Sequence, residues 1–225
     1  MVERTRGRTV NAREEILARV KASLSDIAEQ DPAKDVAIDW SYAQPTPLDN
    51  VLDTFVQNIE DYKARIVRTP ASGTGAAIVA ALAELGAHTV VVPIGVPAVW
   101  VTALSEAGVE IIRDDPPLAH NALDRVDAVL TGSGVSIAET GTICLDHRDD
   151  QGRRALTLVP DRHVCVVRSE TVVSDVPEAV SRLKGAIEEG LPLTWISGGS
   201  ATSDIELSRV EGVHGPRRLF VVLEE

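Results

Sequence analysis

Cysteine is nearly missing from this chain, with two residues, Cys144 and Cys165. Two thiols exclude a disulfide framework and cannot supply the four thiolates an iron–sulfur cluster usually takes. Each stands in an apolar run, ICL and VCVV, and reads as a reduced core thiol. Basic residues are also short, 22 Lys and Arg against 34 Asp and Glu, a formal charge of −12. Such a surface repels phosphate backbones and offers no basic stripe, so nucleic acid is not expected as a partner. Arg4, Arg6 and Arg8 form the one concentrated basic stretch and read as a solvated terminus. No apolar run reaches the length of a bilayer span and the first residues lack the core of a signal peptide, so a cytoplasmic location is expected. Aromatics make up 3% of the chain. Two of them, Trp40 and Tyr42, fall in the irregular segment 34–44, which suits a loop packed on the body or a contact for a partner.

What the chain does have is 44% hydrophobic residues over 225 positions, enough for a full core. One domain is expected over 10–225, after a disordered tail at 1–9, with a helical part at 10–62. Asn11 and Glu14 cap a first helix whose Ile16, Leu17, Val20, Leu24 and Ile27 share one face. Thr46-Pro47-Leu48-Asp49 opens a second helix, with Leu48, Leu52, Phe55, Val56 and Ile59 on one stripe. Strand and helix then alternate: strand 64–67, helix 76–85 closed by Gly86, strand 88–94, helix 97–107 closed by Gly108, strand 109–112 and helix 116–125. This rhythm predicts a mostly parallel sheet covered on both faces. Ser72-Gly73-Thr74-Gly75 lacks the ending of a P-loop and the full glycine spacing of a dinucleotide fingerprint, so a close helix–strand approach accounts for its glycines. Residues 155–158 and 164–167 read as an antiparallel hairpin, and Ser174-Asp175 starts a helix to about Glu189 with Val180, Leu183 and Ile187 inward.

The stretch Ala128 to Leu145, AVLTGSGVSIAETGTICL, carries the first candidate site. A buried strand ends in Gly132-Ser133-Gly134, where open α/β sheets place ligands. Glu139 follows among small residues, with Thr140 and Gly141 beside it. It is either a working acid or a carboxylate that merely caps backbone amides. A second loop of the same kind follows the strand 193–196 and contains Ser197, Gly198, Ser200, Thr202 and Asp204 before a helix-like 205–207. Hydroxyls and free amides there suit a carboxylate or phosphate, or serve as an ordinary capped helix start. If both loops follow parallel strands, they emerge on one sheet edge. His147 and His163 flank a polar loop with Asp146, Asp149, Asp150 and Asp161, but the spacing matches no standard metal site and Arg148 to Arg154 reads as a solvated hairpin tip. His214, in the turn 212–216, reads as a satisfied turn residue.

Three segments, LTGSGVSIAETGTICL (130–145), PDRHVCVV (160–167) and WISGGSATSDIELSRVEGVHGP (195–216), together with the closing strand 219–223, resemble the lactate-utilisation protein C family, also called LutC or the LUD domain family. The family's late loop commonly reads SGPS, and here Gly199 stands in the Pro position. The resemblance implies a three-layer α/β/α sandwich similar to the NagB/RpiA and coenzyme A transferase group. It also implies a part in the oxidation of L-lactate to pyruvate beside two partner proteins that carry iron–sulfur clusters. No cofactor is then expected in this chain itself. Three functions stay open: a component that binds a small carboxylate or docks a redox partner; a transferase or sugar-phosphate isomerase using Glu139, by analogy with the S-E-N-G glutamate of coenzyme A transferases; and a metabolite-binding regulatory domain. The fold is compatible with all three.

Overall fold

In a computed structural model, the residues described are 11–27, 31, 34, 45–202, 210–212 and 214–225, with backbone alone at 202, 210 and 211. The expectations for the tail at 1–9, for Trp40 and Tyr42, for Asp204 and for the helix-like 205–207 lie outside them. The chain divides into two compact units, 1–42 and 43–225. The first contains helix α1 (Ala12–Ser23), started by Asn11, whose Oδ1 accepts the amide of Arg13 at 3.1 Å. Its apolar residues Ile16, Leu17 and Val20 are exposed. Among the described residues no helix is long and apolar enough to cross a membrane.

The second unit is organised on a six-stranded sheet. In chain order its strands are β1 (Arg65–Thr69), β2 (Thr89–Val92), β3 (Glu110–Arg113), β4 (Ala128–Thr131), β7 (Arg162–Arg168) and β12 (Arg218–Glu224). They lie in the order β1-β12-β7-β4-β2-β3, every neighbouring pair parallel. The α/β class and the parallel sheet follow the alternation read from the sequence. Because side chains alternate across a strand, Val90, Val92, Leu130, Val164, Val166 and Phe220 face one side. There they meet Ile78 and Leu82 of α3 (Thr74–Leu85) and Trp100 and Leu104 of α4 (Ala98–Glu106). The opposite side, with Cys165, Val167, Val221 and Leu223, packs on Phe55 and Ile59 of α2 (Val51–Asp61) and on residues of a second sheet.

That second sheet has four strands, β8 (Val172–Val173), β5 (Val135–Ile137), β6 (Thr142–Leu145) and β9 (Thr194–Ile196), in the order β8-β5-β6-β9. β5 and β6 form an antiparallel hairpin and β9 runs antiparallel to β6. Helix α6 (Val176–Glu188) covers it through Ala179 and Leu183, packed on Val135, Ile137 and Cys144. A short antiparallel pair, β10 (Ala201–Thr202) and β11 (Val210–Glu211), follows β9.

Several elements depart from the sequence reading. The antiparallel hairpin is β5–β6, not 155–167: Arg154–Thr157 is a 3-10 turn, and β7 lies between β12 and β4, where parallel neighbours take both its edges. Helix α2 begins four residues late. The amide and hydroxyl of Thr46 both go to Asp175 Oδ2, at 2.7 and 3.1 Å, and Asn50 supplies the cap by accepting from the amide of Asp53. Residues 116–125 yield only α5 (His120–Leu123). On α6, Ala179, Leu183 and Ala186 are inward while Val180 and Ile187 are exposed, because the small residues allow closer approach to the second sheet. A Cβ on Gly75 would stand 2.8 Å from that of Ala103, so this glycine serves a helix–helix approach; one on Gly73 would stand 2.4 Å from Thr69 Oγ1 at the end of β1.

Candidate functional site: a cavity between the two sheets

β2 and β4 are neighbours whose chains leave toward opposite faces, β2 into α4 and β4 into β5, which makes the crevice at their carboxyl ends a topological switch point. The protein packs its own chain into that crevice and leaves shallow clefts of about 450 and 400 Å³ on the outer side of the packed segment. In the segment Asp146–Gly152, the carbonyls of Asp149 and Asp150 accept the amides of Gly95 and Gly132, each at 2.9 Å. A Cβ on Gly132 would lie 2.2 Å from Asp150 Oδ2, and one on Gly95 2.4 Å from the Asp149 Cβ. Ser133 turns inward and donates to the carbonyl of Val166 at 3.1 Å, and Gly134 lies against Asp146. Gly132-Ser133-Gly134 therefore makes room for residues 146–152. That segment, expected to be a solvated tip, is tied down further by His147, whose ring nitrogens bond the carbonyl of Gly152 and the Thr194 hydroxyl, both at 2.8 Å. Burial pushes the carboxyl of Asp150 above the usual range, although Gln151 and Arg168 partly offset it. Among the described residues there is no group of three or more His, Cys, Asp or Glu able to hold a metal.

The other end of the sheet is open. A cavity of about 240 Å³ lies between the amino ends of β7 and β12 and strand β9 of the second sheet; it is lined by His163, Leu219, Trp195, the loop Ser197–Ser200 and the turn His214–Pro216. His163 is 1% exposed. Its position follows from strand periodicity: it alternates with Val164 in β7 and so shares the inner face with Cys165 and Val167. The Nε2 atom sits 2.7 Å from the hydroxyl of buried Thr131, which also donates to the Cys165 sulfur at 3.7 Å. Burial lowers the imidazole to about 4, so the ring is neutral near pH 7. Desolvation likewise raises the thiols of Cys144 and Cys165 to about 12 each.

The cavity wall is built by backbone that only glycine tolerates. Gly198 has φ +82 and a Cβ there would meet the Tyr62 carbonyl at 2.8 Å; one on Gly199 would meet that of Arg217 at 2.3 Å. Ser200 holds the neighbouring turn, its amide donating to the Pro216 carbonyl and its Oγ accepting the amide of His214. The Ser197 hydroxyl joins a chain of hydroxyls, 2.7 Å from Thr142, which accepts from Thr140 at 2.8 Å. Thr140 thus reaches the cavity wall through Thr142, and Gly141, with φ +56, lets the backbone of Asn58 pack closely. Glu139 stands apart. It is exposed on the β5–β6 turn, its amide donates to the Ser174 carbonyl and its carbonyl accepts from Asn58. Among the described residues its carboxylate has no hydrogen-bond partner, and it does not line the cavity. The two Gly/Ser loops do not emerge together, because β9 belongs to the antiparallel sheet and delivers Gly199 and Ser200 beside Arg217 and Pro216, ahead of β12.

All three segments singled out in the sequence meet at this cavity: His163 from the second, Ser197–Ser200 and His214–Pro216 from the third, and Thr131 and Thr142 of the first directly behind it. The LUD domain pattern matches residues 52–223. The chain belongs to the LUD domain family. A protein named lactate utilization protein C from Deinococcus radiodurans is 54% identical over 184 residues, 81% of this chain and 84% of that one. Another of that name, from Geobacillus thermodenitrificans, is 25% identical over 85% of each chain. The crystal structure of a DUF162 family protein from Deinococcus radiodurans superposes with a TM-score of 0.69 at 48% identity, covering 80% of this chain and 100% of that one. In this LUD domain sequence reasoning set His163 aside for lack of metal-site spacing, read His214 as a satisfied turn residue and gave Trp195 no role. The available sign was a histidine in the inward phase of an otherwise apolar strand.

Proposed function

We propose that this chain takes part in lactate utilisation, as the component that binds the small carboxylate while partner proteins hold the iron–sulfur clusters that carry electrons from L-lactate on its way to pyruvate. The observation that carries the reading is the convergence of the three family segments on one cavity able to admit a small acid. The relatives named for lactate utilisation support it. The loop from Ser197 to Gly199 offers the amides of Gly198 and Gly199, which among the described residues donate to no protein acceptor, beside a Ser197 hydroxyl shared with Thr142, a set suited to a carboxylate. With only Cys144 and Cys165, both buried and protonated at neutral pH, the chain's own sulfurs suit core packing better than cluster ligation, which favours clusters in partners.

Deleting this chain from its host should abolish growth on L-lactate as sole carbon source and leave growth on pyruvate intact. Supplying the wild-type chain should restore it, and Ser197→Ala should restore it poorly at equal protein level. Normal growth of the deletion strain on lactate would overturn the reading.

A further inference from the structure

We infer that the cavity is shaped for 2-hydroxy acids whose apolar side chain is larger than the methyl of lactate, with His163 receiving the ligand's hydroxyl; this rests on the carboxylate-binding reading above.

The first observation is the state of His163. A neutral imidazole carries one N–H. In the tautomer that lets Thr131 give its hydrogen to the Cys165 sulfur, the ring's hydrogen sits on Nε2 and donates to Thr131 Oγ1. Nδ1 is then a bare acceptor. Among the described residues it has no partner, although the residue is 1% exposed and lines the cavity. An unpartnered acceptor on a cavity wall is matched by a donor in the ligand. A hydroxyl meets that need; a ketone oxygen or a carboxylate does not. The arrangement therefore favours a hydroxy acid over its oxo counterpart.

The second observation is room. A volume of about 240 Å³ corresponds to roughly eight water molecules at the share each takes in the liquid. A three-carbon acid leaves much of that empty, and a large part of the remaining wall is apolar: Leu158, Trp195, Ile196 and Leu219. Among the described residues no Lys or Arg lines the cavity, which suits a ligand with one anionic group, held at Ser197–Gly199, and an uncharged remainder.

Calorimetric titration of the full chain with L-lactate, L-2-hydroxy-4-methylpentanoate, 2-oxo-4-methylpentanoate and 4-methylpentanoate tests this. The branched hydroxy acid should bind at least tenfold more tightly than each of the other three. His163→Phe should erase the preference for the hydroxyl; should that variant not fold, Trp195→Ala should reduce the advantage of the branched acid over lactate while keeping hydroxy above oxo. Equal affinities, or lactate binding best, would overturn the inference and leave the function reading in place. Binding of none would overturn it too, and growth on lactate would then decide the function reading separately.

Discussion

His163 is where a residue's surroundings set its chemistry most clearly. An imidazole near 6.5 in the unfolded chain and at about 4 in the folded one is protonated first in the unfolded state. Stability from this group is therefore complete above pH 6.5, falls as pH drops from 6.5 to 4, and levels off below. The gap corresponds to about 3 kcal/mol. Denaturant midpoints measured between pH 7 and 4 should show this slope in the wild type and a flatter line in His163→Gln. Glu139 makes the opposite case. Exposed and without a side-chain partner among the described residues, it predicts that Glu139→Gln changes stability by less than about 0.5 kcal/mol and preserves growth on lactate. A melting-temperature scan with a growth assay checks both parts. The sequence pointed to Glu139 because it is the one acid among small residues, whereas a carboxylate's usefulness depends on what it faces.

Among the elements, the start of α6 and the turn after β4 carry the most specific constraints. Asp175 caps α6 through the Glu178 amide at 3.1 Å and also takes both donors of Thr46. Asp175→Ala should cost about 1–2 kcal/mol, as cap losses do, measurable by urea denaturation; Asp175→Asn should recover most of it. At Gly132 the obstacle is the Asp150 carboxylate. Gly132→Ala should cost about 1–3 kcal/mol, and pairing it with Asp150→Gly should give back a large part. A cycle with no coupling would show that the segment 146–152 does not press on this turn. Helix caps and alternating strands were legible because they depend on neighbours within a few residues. The seating of 146–152 in the crevice was not, since it pairs segments far apart in the chain.

For the whole molecule, acid should act in two stages. Below the window of His163, Asp114, Asp127 and Asp175 come into play. Burial, the largest single influence, pushes each of them up, but the opposing bonds together outweigh it and hold each net below the ordinary carboxylate range: Arg153 and the Leu118 amide for Asp114, the His88 and Thr89 amides for Asp127, the Glu178 and Thr46 amides for Asp175. Because their folded values are depressed, their stabilisation is present above pH 4 and is lost as pH falls through the folded values. Denaturant titrations from pH 7 to 2 should thus resolve a gentle loss down to about pH 4 and a steeper one below it, the second reduced in Arg153→Met, which removes the fork on Asp114.

The sequence by itself determined the α/β class, the parallel sheet and the family, through patterns read over short spans: apolar runs, helix caps and three contiguous segments. Only the tertiary structure decided that the family segments meet at a cavity over the amino ends of β7 and β12. The Gly132 turn is filled by residues 146–152, and β9 joins an antiparallel sheet that carries Ser197–Ser200 over His163. Which strand pairs with which, and therefore where a loop ends up, depends on the packing of residues distant in the chain, and no local pattern records it.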